Sequence, residues 1–234
     1  EWLNAIMHIP FGKYVTMNVN SEQSSEYLNQ AEKTLNEAVY GHAEAKEQIL
    51  QYIGQTISNK NSNGMILGIQ GPMGNGKTTL VEKGLAKVLD RPFVSIALGG
   101  MSDGSTLEGH SFTYEGSTWG RITGALMQAK CMNPIIYMDE LDKVSSSHRG
   151  EEIINLLIHL TDPVQNTHWH DKYFAGIDFD LSKATFIFSY NDSDRINSVL
   201  LDRITEIGTK GFHIPEKIQI VKNYLLKDIV KDIG

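Results

Sequence analysis

One short run limits what this chain can fold into more than any other feature: Gly71-Pro72-Met73-Gly74-Asn75-Gly76-Lys77-Thr78, directly after the apolar stretch 65–70. Its glycine, lysine and threonine spacing matches the P-loop pattern in every required position. The pattern works only on a particular scaffold. Glycines let the backbone curl so that several N–H groups point at phosphate oxygens, and a helix N-terminus adds favourable partial charge. A strand must therefore run into the loop and a helix must leave it. Lys77 is placed to reach the β- and γ-phosphates, and Thr78 to offer its hydroxyl to Mg²⁺, with Thr79 following in the helix that backs the loop.

The surrounding chain supplies that scaffold. Residues 65–70, 93–98, 135–138 and 185–190 read as short buried strands, and residues 77–89, 120–132 and 150–160 as helices between them. In the last of these helices Ile153, Leu157 and Leu160 share one face, with Ile154 and Ile158 beside it. Upstream, residues 1–14 read as the end of a helix stopped at Pro10 and Gly12, and residues 19–25 as a polar linker. A helix then runs to about Val39, followed by a break at Tyr40-Gly41. From His42 a strongly amphipathic helix carries Ala45, Ile49, Ile53 and Ile57 at every fourth residue, with Tyr52 alongside, and ends in the turn-rich run 59–64. A final helix is expected from Pro215 to about Ile233. Strands alternating with helices predict a parallel sheet covered on both faces.

Three further elements carry chemistry. The run Ile135-Ile136-Tyr137-Met138-Asp139-Glu140 ends a buried strand on two carboxylates, where open α/β sheets deliver functional groups. Asp139 is placed to orient a Mg²⁺ shell and Glu140 to take a proton from attacking water, so the pair points to hydrolysis. The strand 185–190 ends at Asn191, whose amide can hydrogen-bond both a γ-phosphate and the water. About a dozen residues on, Leu200-Leu201-Asp202-Arg203 places an arginine on a short helix as a candidate finger for a neighbouring subunit's nucleotide, with Arg195 as its competitor. For either arginine an exposed structural salt bridge is the plain alternative.

Composition excludes several other classes. A net charge of −7, with no dense Lys/Arg cluster, gives no general attraction to nucleic acid. Cys131 is the only cysteine, which removes internal disulfides and cysteine-based zinc sites; it reads as a small core residue in the helix 120–132. No apolar run reaches the roughly 18 residues of a membrane helix. The opening Glu1-Trp2-Leu3 has neither an initiator methionine nor a signal pattern, so the chain reads as a piece of something longer. His168-Trp169-His170 has too few ligands for a metal site. Trp169 and Tyr173 are expected in a second pore loop or, more plainly, at a subunit contact.

The four chemical elements, in this order, have the AAA+ layout. The chain most resembles the ATPase part of the Lon protease family. Similar stretches are Ile9 to Lys13, Tyr40-Gly41-His42, Leu98 to Asp103, Gly109-His110, Thr113 to Ser117, Gly120-Arg121-Ile122, Asp139 to Ser146, Asp162-Pro163-Val164-Gln165-Asn166 and Leu201-Asp202-Arg203. The resemblance implies a P-loop NTPase (AAA+) three-layer α/β sandwich with a central parallel sheet, preceded by an N-terminal helical segment. It implies a helical segment and linker over 1–38, the large ATPase domain over 39–212, and the start of a small helical domain over 213–234. It further implies a Mg²⁺-ATP-driven unfoldase of protein substrates, assembled as a homo-oligomeric ring, a hexamer; the lone Cys131 makes a cytoplasmic or other reducing compartment the expectation. Tyr40 and Gly41 would line the adenine pocket, Arg203 would be the finger, and Tyr114 would grip substrate in the pore with Glu115 beside it. The chain departs from the family where Ser111-Phe112 replaces basic residues, where Glu115 replaces an aliphatic one, and in the length of the insertion around 19–25. Neither the family's second nucleotide-contacting arginine nor its serine–lysine peptidase centre lies within these residues. A remodelling chaperone without a peptidase, and less so a nucleic-acid motor, are the competing expectations.

Overall fold

Side-chain alternation along the strands divides the interior in two. In a computed structural model that describes residues 2–17, 19, 23–59, 63–145 and 147–226, β3 (Ile135–Asp139) sends Ile135 and Tyr137 to one core and Ile136 and Met138 to the other. β6 (Thr185–Tyr190) does the same, with Ile187 on the first side and Phe186, Phe188 and Tyr190 on the second. Such a strand is buried on both faces, which is why it reads as a continuous apolar run rather than an alternating one.

These strands belong to a five-stranded sheet in the order β2-β3-β6-β1-β7, with β1 spanning Ile66–Gln70, β2 Phe93–Ala97 and β7 Thr205–Gly208. Every adjacent pair in it is parallel. All strands thus end on the same edge, and β1, β3 and β6 bring Gly71, Glu140 and Asn191 to it together. Helices cover both faces, so the expected three-layer arrangement is present. One core packs α2 (Ser24–Ala38), α3 (Ala43–Ser58) and α4 (residues 77–89) through Leu35, Ile49, Ile53, Leu80 and Leu85, all fully buried. The opposite core receives Ile122 and Leu126 of Arg121–Ala129 and Ile153, Leu157 and Leu160 of His148–Thr161. Each such side chain contributes about 1.5–3 kcal/mol by leaving water. The middle of α4, Leu80–Ala86, has the wider π winding.

The N-terminal helix α1 (Trp2–Ile6) is tied to the second core by Trp2, whose Nε1 donates to Tyr173 O at 3.0 Å. The following arm is held by Asn133, which accepts from Val15 N and donates to Val15 O, both at 2.8 Å.

Several sequence expectations change here. The helix expected over 120–132 stops at Ala129 because Lys130 turns left-handed (φ 57°), so Cys131 lies beyond the helix, although it is buried as expected. Trp169 and Tyr173 are only 6% and 4% exposed, which excludes both the pore-loop and the subunit-contact expectation. They instead anchor a small antiparallel pair, β4 (Trp169–His170) and β5 (Asp178–Phe179), which, like β7, is too short to carry a local period. Part of the stretch expected as linker is helical from Ser24, while residues 18 and 20–22 lie outside the described residues, as do 60–62 of the expected turn. The last helix is described over Ile214–Ile220 and a π turn over Val221–Leu225; its expected continuation from 227 to 233 lies outside the described residues. Among the described residues no helix is long and apolar enough to cross a membrane.

Candidate nucleotide site

At the strand edge the loop after β1 wraps a cleft of about 430 Å³ lined by residues 73–79, Asp139, Glu140, Asp142, Ser189 and Asn191. Gly74 and Gly76 adopt φ of 71° and 88°, conformations that an L side chain resists, and this curls the loop over the start of α4. Gly71 N donates to Tyr190 O at 3.1 Å, so the loop hangs from the neighbouring strand. Below it Asn75 Nδ2 donates to Thr209 Oγ1 at 2.7 Å, and Thr209 Oγ1 in turn donates to Gln70 O at 2.8 Å. Pro72 and Met73 cross the exposed rim, Met73 with 70% of its surface open.

Lys77 is the centre of the cleft. Its Nζ donates to Gly71 O (2.6 Å), Pro72 O (3.0 Å) and Asn191 Oδ1 (3.1 Å). Burial lowers its pKa, while the nearby charges of Asp139 and Asp142 pull it back up. Asn191 is held from three sides: by Lys77, by Gln70 Nε2 donating to its carbonyl at 3.0 Å, and by its own N–H donating to Asp142 Oδ2 at 3.2 Å. Asp139 Oδ1 accepts from Glu140 N at 3.0 Å and from the Ser189 hydroxyl. Thr78 Oγ1 donates to Tyr137 OH at 3.2 Å. Burial raises the Tyr137 pKa, so this phenol stays neutral.

Glu140 sits in a left-handed turn, φ 63°, which swings its carboxylate across Gly99, where an added Cβ would fall 2.2 Å from Oε2. Only glycine there lets the carboxylate lie in that place. Lys143 pairs with Glu140 Oε1, and that hydrogen bond raises the pKa of Lys143.

Beside this cleft a second cavity, about 690 Å³, is lined by Tyr40, Gly74 to Gly76, Phe212 and Tyr224. Tyr40 meets Phe212 edge-on at 6.0 Å, and Gly41, at φ 68°, turns the chain back beneath the Phe212 ring. Two residues absent from the sequence-based set fix this corner. His42 Nε2 donates to Asn75 O at 2.7 Å while its ring packs on Phe212 at 4.8 Å; burial lowers its pKa. Lys46, buried and with a correspondingly lowered pKa, donates to Val39 O at 2.7 Å and Asn36 Oδ1 at 2.9 Å. His42 could have been suspected from its place next to Tyr40-Gly41; Lys46 and Thr209 give no local signal.

Other expected residues lie elsewhere. Arg203 does not line the cleft of its own chain, and it follows the short helix Ser198–Leu201 rather than sitting on it. Its Nη1 donates to Ile158 O at 2.6 Å and lies 3.2 Å from Asp162 Oδ2. The competing Arg195 is exposed and pairs with Asp192 three residues before it, at 3.3 Å. Tyr114, 70% exposed, lies with the exposed Glu115 on a loop between Gly109 and Gly120. Phe112 and Trp119 of that loop pack edge-on against Tyr173 at 5.3 and 5.8 Å, which gives Phe112 a packing role where the resemblance had suggested basic residues.

A parallel sheet with a lysine-bearing glycine loop at its carboxyl edge, faced by a strand-end carboxylate pair, defines a P-loop nucleotide-binding protein. The chain belongs to the AAA family, "ATPase family associated with various cellular activities", which residues 67–211 match. Among the proteins it is similar to are Lon proteases. It is 38% identical to a Lon protease homolog of Acanthamoeba polyphaga mimivirus over 99% of this chain and 23% of that protein. It is also 38% identical to the Lon protease of Rickettsia felis over 97% of this chain and 28% of that protein. With the Lon protease of Chlamydia pneumoniae it shares 39% identity over 91% of this chain and 26% of that protein. The chain therefore spans about a quarter of the length of the relatives it matches, and corresponds to their ATPase module.

Proposed function

We propose that this chain is the motor of a Lon-type ATP-dependent protease, binding Mg²⁺-ATP in the cleft and using its hydrolysis to pull protein substrates through a ring of identical subunits. The observation that carries the reading is the convergence of Lys77, Asp139, Glu140 and Asn191 on one cleft beneath the glycine loop.

Residues 71–79 would hold the phosphates through backbone N–H groups, and Lys77 would exchange its two loop carbonyls for phosphate oxygens. Its contact with Asn191 Oδ1 means that a shift of Lys77 is felt directly by that amide, which suits Asn191 to report on the γ-phosphate. Thr78 and Asp139 present a hydroxyl and a carboxylate to the same cleft, hard oxygen donors of the kind Mg²⁺ prefers. Bound there, Mg²⁺ would neutralise charge on the phosphates. Glu140 is the general base for the attacking water, and its carboxylate must give up Lys143 to take that proton. Tyr40 and Gly41, beside the second cavity, would hold the adenine.

Arg203 would act on the neighbour's nucleotide, since it lies outside its own cleft and an arginine finger stabilises charge that develops in the transition state. Tyr114 and Glu115, exposed on a loop with a packed base, would line the ring's pore. The net charge of −7 favours protein over nucleic acid as the substrate. The single buried Cys131 suits a reducing compartment such as the cytoplasm. Residues 1–38, 39–212 and 213–234 would be the helical segment, the large domain and the start of the small domain.

Glu140→Gln is the direct test. An amide cannot accept the water's proton, so the variant should bind ATP with near-normal affinity while turnover falls by about two orders of magnitude or more. Hydrolysis within about threefold of wild type at saturating ATP would remove Glu140 as the base.

A further inference from the structure

The stretch Asp162-Pro163-Val164-Gln165-Asn166 has no part in the cleft, yet it holds Arg203. Helix 148–161 ends just before it, and its last carbonyls carry the negative end of its dipole; Ile158 O, which also accepts from Thr161 Oγ1 at 3.1 Å, is one of them. Arg203 Nη1 meets that end twice, at Ile158 O (2.6 Å) and at Asp162 Oδ2 (3.2 Å). The other carboxylate oxygen is already committed: Asp162 Oδ1 accepts from Val164 N at 2.9 Å and from Gln165 N at 3.2 Å. Those two amides, with Arg203 adding to them, hold the Asp162 carboxyl below the usual carboxylate range, so it stays charged opposite the guanidinium. Asp162 is therefore fixed by its own turn before it meets the arginine. Arg203 is anchored through one nitrogen only, and its Nε and Nη2 have no partner among the described residues, in a side chain 30% exposed.

An arginine held by one corner, with its opposite edge unspent, is arranged to present that edge to a ligand outside its own chain. A guanidinium is planar and rigid, so fixing one nitrogen fixes the orientation of the rest. We propose that Asp162 is a positioning residue for Arg203, holding the guanidinium against the end of helix 148–161 so that its free edge meets the nucleotide of the adjoining subunit. The inference rests on the reading of Arg203 as a finger acting between subunits, and it adds the residue that aims it.

The test uses Asp162→Asn, Arg203→Ala and their combination in the assembled protein. Asn keeps an oxygen acceptor for Val164 N and Gln165 N, so the turn should survive. Asp162→Asn should lower kcat about tenfold, the scale of a slightly misplaced catalytic group, with KM for ATP within about twofold of normal. Added to Arg203→Ala it should cost nothing more, because there is no longer a guanidinium to aim. Mixing Asp162→Asn subunits with Glu140→Gln subunits should restore part of the turnover, as the two lesions then fall on different sides of some interfaces. Asp162→Glu should recover part of kcat. If Asp162→Asn fails to fold, Asp162→Ser, which also keeps an acceptor for the turn, carries the same expectations.

Wild-type kcat in Asp162→Asn, or a further loss on top of Arg203→Ala, would overturn the inference while leaving the finger intact. Wild-type turnover in Arg203→Ala would instead remove the finger, and the inference with it.

Discussion

The cleft under the glycine loop and the loop 110–119 are both held by glycines at their bases, yet they treat their polar and aromatic groups in opposite ways. In the cleft nearly every functional atom is tied within the chain: Lys77 to two carbonyls and an amide, Asn191 to three partners, Asp139 to Ser189 and a backbone N–H. The loop turns on itself at its tip, with Tyr114 N donating to Ser111 O at 3.1 Å and Ser117 N to Tyr114 O at 3.2 Å, and hydrogen-bonds to the rest of the chain at its neck. There Asp171, fully buried, accepts from Gly120 N at 2.9 Å, Tyr173 N at 2.9 Å and the Thr123 hydroxyl, and His110 N closes the base on Thr118 O at 3.1 Å. Its tip, with Tyr114 70% exposed, is left open to solvent. A site for one small charged ligand gains from groups held in place before binding. On the proposed reading, a loop that grips chains of many sequences needs a firm base and exposed side chains at its tip.

That contrast can be broken most sharply at the neck. Asp171→Ala would strand three buried donors, and unfolding free energy should fall by about 3–5 kcal/mol, measured by chemical denaturation. Nucleotide affinity of the folded fraction should stay near normal; a selective loss of affinity with stability intact would mean that the two regions are not separable. Burial raises the Asp171 pKa above its ordinary 3.8, so the folded state binds a proton more readily than the unfolded state does. Its stabilising contribution is present at acid pH and is lost as pH rises from 3.8 through the raised value. Asp171→Asn should flatten that part of the stability–pH profile, and an unchanged profile would assign it to other carboxylates.

Lys77→Ala should act in the reverse sense. Nucleotide affinity should drop about 100-fold, close to 3 kcal/mol by titration, with little change in melting temperature. Normal affinity would end the assignment of this loop to phosphate.

A smaller effect is expected between the two regions. Tyr190, one residue before Asn191, donates its hydroxyl to Glu206 Oε2 at 2.8 Å, and burial raises its pKa. Tyr190→Phe should cost about 1 kcal/mol of stability. A much larger loss would show that this bond also braces the strand carrying Asn191. Smallest of all, Tyr114→Ala should change stability by less than about 0.5 kcal/mol, because its ring is exposed. Substrate-dependent turnover should nevertheless fall, and a variant equal to wild type in both would remove Tyr114 from the pore.

The parts legible in advance were those whose cause is local. A glycine loop between an apolar run and an amphipathic helix states its own geometry, and a strand ending in Asp139-Glu140 states where its carboxylates emerge. The amphipathic period of α3 fixed its buried face, since Ala45, Ile49, Ile53 and Ile57 are all in the core. Weak signals failed where the determinant lies far away in sequence. β7 is four residues long and gains its ladder only by lying beside β1. Trp169 and Tyr173 look like surface aromatics in a polar stretch until Phe179 and Trp119 close around them.

By itself, then, the sequence determined the glycine loop between strand and helix, the strand-end acids, the alternating architecture and the resemblance carried by its motifs. These follow from neighbours along the chain, through backbone conformation and hydrophobic period. Only the tertiary structure decided that Thr209 braces Asn75, that Gly99 makes room for Glu140, that His42 and Lys46 fix the second cavity, and that Arg203 is held by Asp162. Each of these joins residues from different elements, and no local period encodes which side chains meet when a sheet folds against its helices.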